Sequence, residues 1–376
     1  MIKALVVFGT RPEAIKLAPV ILEMRRHRKQ FKTIVCVTAQ HREMLDHVLR
    51  LFRIKVDYDL KLMRRNQTLT RLTSKLLLSL QRIVTLVKPD LILVQGDTTT
   101  TFAASLISFY NGVKIGHVEA GLRTYNKHAP FPEEMNRKIT GALADIHFSP
   151  TVVARDNLLN EGVLSERIFV TGNTAIDALL LTSDIPESKR YRSIMKKLAP
   201  SGRMLLVTGH RRESFGVPFK NIFTAIATIV EKNKDVEVVF PVHMNPNVAD
   251  MAKRLLGGTR RIHLIQPVDY GVMVHLMKSC HLILTDSGGI QEEAPSLDKP
   301  VLILRDVTER PEVLATGAGM LVGTGTKGII LKSQAVLDNR GGIYRKMARA
   351  KNPYGDGKAA RKIVDILLNK FASAAS

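Results

Sequence analysis

The strongest restriction on this chain is an alternation kept up along most of its length. Short β-branched runs are each followed by a longer stretch of helical periodicity. Strands separated by whole helices cannot close as hairpins; they are joined by crossovers and lie parallel, in sheets covered by helices. The runs form two series. The first is KALVVFG, KTIVCVTA, DLILVQGD, VKIGHVEA, IHFSP and RIFVTGN, and the second is RMLLVTGH, VEVVFPVH, IHLIQPV, HLILTDS, PVLILRD and GMLVG. A polar stretch at 182–201 divides them, and 376 residues suit two cores better than one. The expected fold class is α/β, with two doubly wound Rossmann-like domains facing a cleft. The first domain is expected over residues 1–181 and the second over 182–360. The final helix, over 361–376, is expected to pack back on the first domain.

Composition narrows the function classes. The apolar runs are of strand length, so no membrane insertion is expected, and the N-terminus enters a strand without signal-peptide anatomy. Cys36 and Cys280 stand in separate apolar segments and read as reduced core thiols, which fits a cytoplasmic protein. The net charge of +22 favours polyanions in general. The basic residues are nevertheless dispersed through segments such as MRRHRKQFK and KRLLGGTRR, tryptophan is absent and aromatics are 5%. A solvated basic surface is the reading, with no specific nucleic-acid partner. GTGTKG at 323–328 matches a dinucleotide fingerprint only in its letters, because it comes late and lacks the acidic residue that should follow. No metal-ligand spacing and no cofactor motif is present.

Chemistry in parallel sheets gathers at the carboxyl ends of strands. Seven segments of unusual composition fall there: FGTRPE, QGDTTTT, HVEAGLR, TGHRRES, PVHMNP, TDSGGIQEE and RDVTERPE. In the first, Thr10, Pro12 and Glu13 specify a helix start with a capping box. Arg11 and Lys16 then put cations near the positive end of that helix, which calls for a compensating anion. Ser287, Gly288 and Gly289 open a helix with backbone N–H groups suited to phosphate, or simply make a tight turn. One of Glu292 and Glu293 suits capping or neutralisation, the other ribose hydroxyls. His210 reads as a structural loop histidine or a proton donor to a leaving diphosphate, and Arg310 as a phosphate ligand or an ion-pair partner. Asp97, Glu119 and Glu133 are three acids in strand-end or loop positions. Separately they suit caps or salt bridges; together they suit acid–base work.

GTRPEAIK, AQHREML, GDTTTT, HVEAGLRT, FPEEMNR, GHRRESF, DSGGIQEEAPS, TERPE and NPYGDG together resemble the bacterial non-hydrolysing UDP-N-acetylglucosamine 2-epimerases, from about residue 2 to 368. The resemblance implies a GT-B-type fold whose second domain binds nucleotide, a homodimer, and interconversion of UDP-GlcNAc and UDP-ManNAc for surface polysaccharide synthesis. It implies substrate contacts at Arg11, Lys16, Asp97, Glu119, His210, Ser287, Gly288, Gly289, Glu293 and Arg310. It places acid–base chemistry on Asp97, Glu119 and Glu133, with His210 near the phosphates. It assigns an allosteric region to Gln40, His41, Met44 and His243. The sequence departs from the common family pattern at Val268 and Met273, near the expected uracil. A GT-B glycosyltransferase using a UDP-sugar donor is the alternative, and it leaves Glu119 and Glu133 with less to do.

Overall fold

The computed structural model describes residues 1–38, 42–62, 67–198 and 200–373, with no side chain described at 42–44 or 373. Two compact units emerge. Unit 1 is Met1–Leu181 with Tyr354–Ser376, and unit 2 is Thr182–Pro353. Each holds one parallel sheet. Among the described residues no helix is long and apolar enough to cross a membrane.

The unit 1 strands are β1 (Ile2–Phe8), β2 (Phe31–Val37), β3 (Tyr58–Asp59), β4 (Leu91–Gln95), β5 (Lys114–Val118), β6 (Ile146–Ser149) and β7 (Ile168–Val170). Their order is β3-β2-β1-β4-β5-β6-β7. Twelve strands of the two units answer to the twelve sequence runs; β3 does not. With two residues it cannot display a period, and it exists by pairing Cys36 with Tyr58 and Val37 with Asp59. Leu5, Val7, Ile92 and Val94 fill the sheet interior and pack against Leu76 and Leu80. All five residues of β4 are buried, as expected of a central strand covered on both faces.

The unit 2 strands are β8 (Arg203–Thr208), β9 (Val236–Pro241), β10 (Ile262–Ile265), β11 (Leu282–Thr285), β12 (Val301–Ile303) and β13 (Gly319–Leu321). Their order is β10-β9-β8-β11-β12-β13. Phe219, Phe223 and Phe240 pack with Leu205, Val207 and Leu284 in its core. The winding reverses between β1 and β4 in unit 1 and between β8 and β11 in unit 2. Such switch points leave a crevice outside the strand ends that helices do not fill.

The chain returns to unit 1 at Tyr354, ahead of the position expected at 361. Side-chain and backbone bonding explain the earlier boundary. The buried Tyr354 accepts at its carbonyl from the Asn173 N–H at 2.7 Å. The Asp177 carboxylate then accepts from Ala359 and Ala360 N–H at 3.2 and 2.8 Å, capping the helix Ala359–Ser373. That helix packs on the helix Arg11–Arg26.

Candidate active site

Unit 1 gathers its polar groups at the β1/β4 switch point. The helix Arg11–Arg26 begins as the sequence predicts, with Thr10 at the N-cap and a proline in the first turn. Glu13 does more than cap. It is buried, and its carboxylate accepts from Gly9 and Thr10 N–H at 3.0 and 2.7 Å and from the Thr98 and Thr101 hydroxyls at 2.7 and 3.3 Å. One side chain thus ties the loop after β1 to the loop after β4. Burial raises its pKa although hydrogen bonds from Thr98, Thr10 and Gly9 oppose the shift.

Glu119 follows β5 with a left-handed φ of 63°, uncommon for a residue with a side chain. Its side chain is 7% exposed and forms an ion pair with Lys16. Gln95, the last residue of β4, donates to its other oxygen, and Asn173 donates from 3.4 Å. The Lys16 cation, unfavourable near a helix start, therefore has a compensating carboxylate within unit 1. The next turn is equally constrained. At Gly121, with φ 92°, a Cβ would lie 2.0 Å from the Ala154 carbonyl oxygen.

Asp97 forms an ion pair with Arg137, and its carbonyl accepts from Asn136 Nδ2 at 2.9 Å. Both partners come from the helix Glu133–Leu143. Arg137 also reaches Glu134 at 3.2 Å, and the buried Glu134 carboxylate holds the Thr124 and Tyr125 N–H groups. Glu133 lies one turn before Asn136 and Arg137 and shares their helix face. The structure thus brings Asp97 and Glu119 to adjacent strand ends, with half-buried Glu133 on the helix that clamps Asp97. Arg11 stands half-buried at the first position of its helix.

Unit 2 builds a different kind of site at the β8/β11 switch point. Asp286, 1% exposed, accepts from His210 and Arg211 N–H at 2.8 and 2.9 Å, fixing the loop after β8. His210 Nδ1 lies 3.2 Å from Asp286 Oδ1, and its ring stacks on His243 with centroids 5.9 Å apart. His243 also lines a cavity of about 820 Å³ at the ends of β9 and β10, with Lys197, Lys253 and Pro267 among its walls. Gln40 and His41 lie outside the described residues, and Met44 is described only in its backbone.

Ser287 is the N-cap of the helix Gly288–Glu293, its N–H held by the Thr285 hydroxyl at 2.9 Å. Two guanidiniums flank the turn. A Cβ at Gly288 would lie 3.7 Å from Arg211 Nη2 and 3.8 Å from Arg310 Nη2. Carboxylates orient both: Arg310 is paired with the buried Glu292, and Arg211 with Glu309 at 3.2 Å. Glu309 also takes both Arg305 Nη groups, at 2.7 and 3.1 Å. Burial would raise the Glu309 pKa, but the Arg305 hydrogen bonds and the Arg211 and Arg305 charges outweigh it and hold it at about 2. Glu293 accepts from the Tyr270 hydroxyl at 3.3 Å. Of the two neighbouring glutamates, Glu292 therefore neutralises and Glu293 faces a hydroxyl donor.

Sequence reasoning named candidate groups at the strand ends and missed what holds them: Glu13 as a tie between loops, Gln95, Arg137, Asn173 and Asp286. Some signal was there. Gln95 and Asn173 sit at strand ends, Asp286 immediately precedes Ser287, and Arg137 closes FPEEMNR. Among the described residues no group of three or more His, Cys, Asp or Glu is arranged to hold a metal ion.

Residues 23–368 match the family model described as UDP-N-acetylglucosamine 2-epimerase. The UDP-N-acetylglucosamine 2-epimerase of Escherichia coli K12 is 51% identical over 376 residues, covering 99% of this chain and 100% of that protein. That of Bacillus subtilis 168 is 51% identical over 367 residues, covering 98% and 95%. Among solved structures, UDP-GlcNAc 2-epimerase from Neisseria meningitidis bound to UDP-GlcNAc superposes with a TM-score of 0.89 at 49% identity, covering 98% of this chain and 100% of that chain. With half of all positions shared along nearly the whole length, the chain belongs to the UDP-N-acetylglucosamine 2-epimerase family.

Proposed function

We propose that the protein is a non-hydrolysing epimerase that interconverts UDP-GlcNAc and UDP-ManNAc at carbon 2 by elimination and re-addition of UDP. The observation that carries this reading is the roughly 50% identity to epimerases over nearly the full length of both chains, which does not favour the glycosyltransferase alternative. Hydrogen at carbon 2 is too weakly acidic for simple removal. A carboxylate takes it as a proton while the bond from carbon 1 to the diphosphate oxygen breaks, giving 2-acetamidoglucal and UDP. UDP then re-adds at carbon 1 while carbon 2 receives a proton on the opposite face. Two faces require at least two proton-handling groups, which Asp97, Glu119 and Glu133 supply. As written, the reaction calls for neither a metal nor a nicotinamide.

Unit 2 supplies the anion binding. The backbone turn at Ser287, Gly288 and Gly289, with Arg211 and Arg310 beside it, suits a diphosphate, and His210 suits the leaving oxygen. Arg11 and Lys16 complete the basic contacts, and Glu293 takes the ribose. The enzyme works as a cytoplasmic homodimer and provides ManNAc units for surface polysaccharide. A second UDP-GlcNAc acts at the region of Gln40, His41, Met44 and His243. Incubation with UDP-GlcNAc alone in D2O tests the reading: both epimers should carry deuterium at carbon 2, with traces of UDP and 2-acetamidoglucal. Epimerisation without deuterium uptake would reject elimination, and turnover only with an added acceptor would favour transfer.

A further inference from the structure

His117 and His147 stand opposite each other on β5 and β6, both 1% exposed. An imidazole in the middle of a buried strand gives up hydration that a hydrocarbon would not have needed, so its use must lie in what its nitrogens touch. His117 Nε2 lies 2.8 Å from the Gly96 carbonyl oxygen. A carbonyl only accepts, so Nε2 carries the proton. Burial holds the ring neutral, with its pKa pushed down to about 3, and leaves Nδ1 a lone pair without a partner.

Gly96 is the residue before Asp97, and its φ is 68°. Its N–H donates to the Val118 carbonyl at 3.0 Å, so both of its backbone polar groups are gripped by neighbours of Glu119. On its third side a Cβ would sit 3.5 Å from Glu119 Oε2, the oxygen that also accepts from Gln95. The Gly96 carbonyl and the Asp97 nitrogen share one rigid peptide plane, so rotating that plane swings the Asp97 side chain. Glycine itself resists such rotation little.

We propose that His117 is a positioning residue for the epimerisation: by donating to the Gly96 carbonyl it fixes the turn that carries Asp97, and with it the offset between Asp97 and Glu119. The proposal rests on the acid–base roles given above to those two carboxylates. His147 provides the control, since it is buried alike on the next strand without a bond to that turn.

The test compares His117→Leu, His117→Gln and His147→Leu in the full-length protein, by kcat and KM for UDP-GlcNAc, calorimetric UDP affinity and Tm. His117→Leu should lower kcat about tenfold or more with UDP affinity changed less than about twofold, as expected for a misplaced reacting group. Glutamine can bring an amide nitrogen to the place of Nε2 and should restore most of kcat even where Tm stays low. His147→Leu should lower Tm but leave kcat near wild type. Unchanged kcat in His117→Leu, or equal losses in the two leucine variants, would overturn the proposal. If His117→Leu does not fold, 15N NMR of the wild type decides: a proton on Nδ1 rather than Nε2 at neutral pH excludes the bond. Absence of turnover in the wild type would instead reject the epimerase reading, while the NMR result would still report on His117.

Discussion

In unit 1 the groups at the strand ends are carboxylates, and cations and amides hold them: Lys16 and Gln95 on Glu119, Arg137 on Asp97. In unit 2 the groups beside the turn are guanidiniums, and carboxylates hold them: Glu292 on Arg310, Glu309 on Arg211. The same doubly wound plan carries opposite charge logic at its two switch points. A proton-transfer site needs carboxylates with a defined orientation; a diphosphate site needs cations with one. In each unit the candidate group is held by a partner of the opposite charge. Ion pairs near the surface contribute little to stability, so orientation is what these four pairs offer; in two of them, Lys16–Glu119 and Arg310–Glu292, the carboxylate is buried.

The comparison breaks most visibly if the two units fail to separate chemistry from binding. Asp97→Asn and Glu119→Gln should each lower kcat by at least ~10²-fold, the usual scale for a lost acid–base group, with UDP affinity nearly unchanged. Matched kinetics and calorimetry would show it, and near-normal turnover in Glu119→Gln would remove unit 1 from the chemistry. In unit 2 the order should invert. Arg310→Ala should weaken UDP binding roughly tenfold or more, the scale of a charge-assisted hydrogen bond, before it affects kcat at saturation. Glu292→Gln should weaken binding less, about threefold, because it loosens Arg310 without removing it. Equal losses would mean that Glu292 does more than orient.

The smallest expected effect is on stability and marks where unit 1 ends. Burial raises the Asp177 pKa from 3.8 to about 6, although two amides of the returning segment bond to it. A raised folded-state pKa means that folding takes up a proton between those values. Its contribution is full below pH 3.8 and is lost as pH rises through about 6. Asp177→Asn should therefore gain stability relative to wild type between pH 4 and 7, by on the order of 1 kcal/mol or a few degrees in Tm. A pH-independent difference between the two melts would contradict the buried, proton-binding cap.

Sequence carried most of this architecture because parallel strands covered on both faces must be nearly all apolar, and helices between them must be periodic. Strand β3 escaped since two residues hold no pattern, and the boundary at Tyr354 depended on Asn173 and Asp177, which are far away in sequence. The same distance hid the holders of the site. Asp97 and Glu119 announce themselves as acids at strand ends. Arg137 looks like any helix-surface arginine until the fold places it on Asp97, and Asp286 looks like a turn residue until it is seen carrying two amides of another loop.

Unit 2 interrupts unit 1 in sequence, and this has a bearing on biosynthesis. A ribosome delivers residues in order, so all seven strands of the unit 1 sheet, β1–β7, emerge well before the helix Ala359–Ser373 that packs on Arg11–Arg26. Unit 2 is continuous and can close as soon as Pro353 has cleared the exit tunnel. Unit 1 must wait with one helix face open until the final segment arrives. The part made first is thus the part finished last, and truncation after residue 353 would cost unit 1 its covering helix while leaving unit 2 whole.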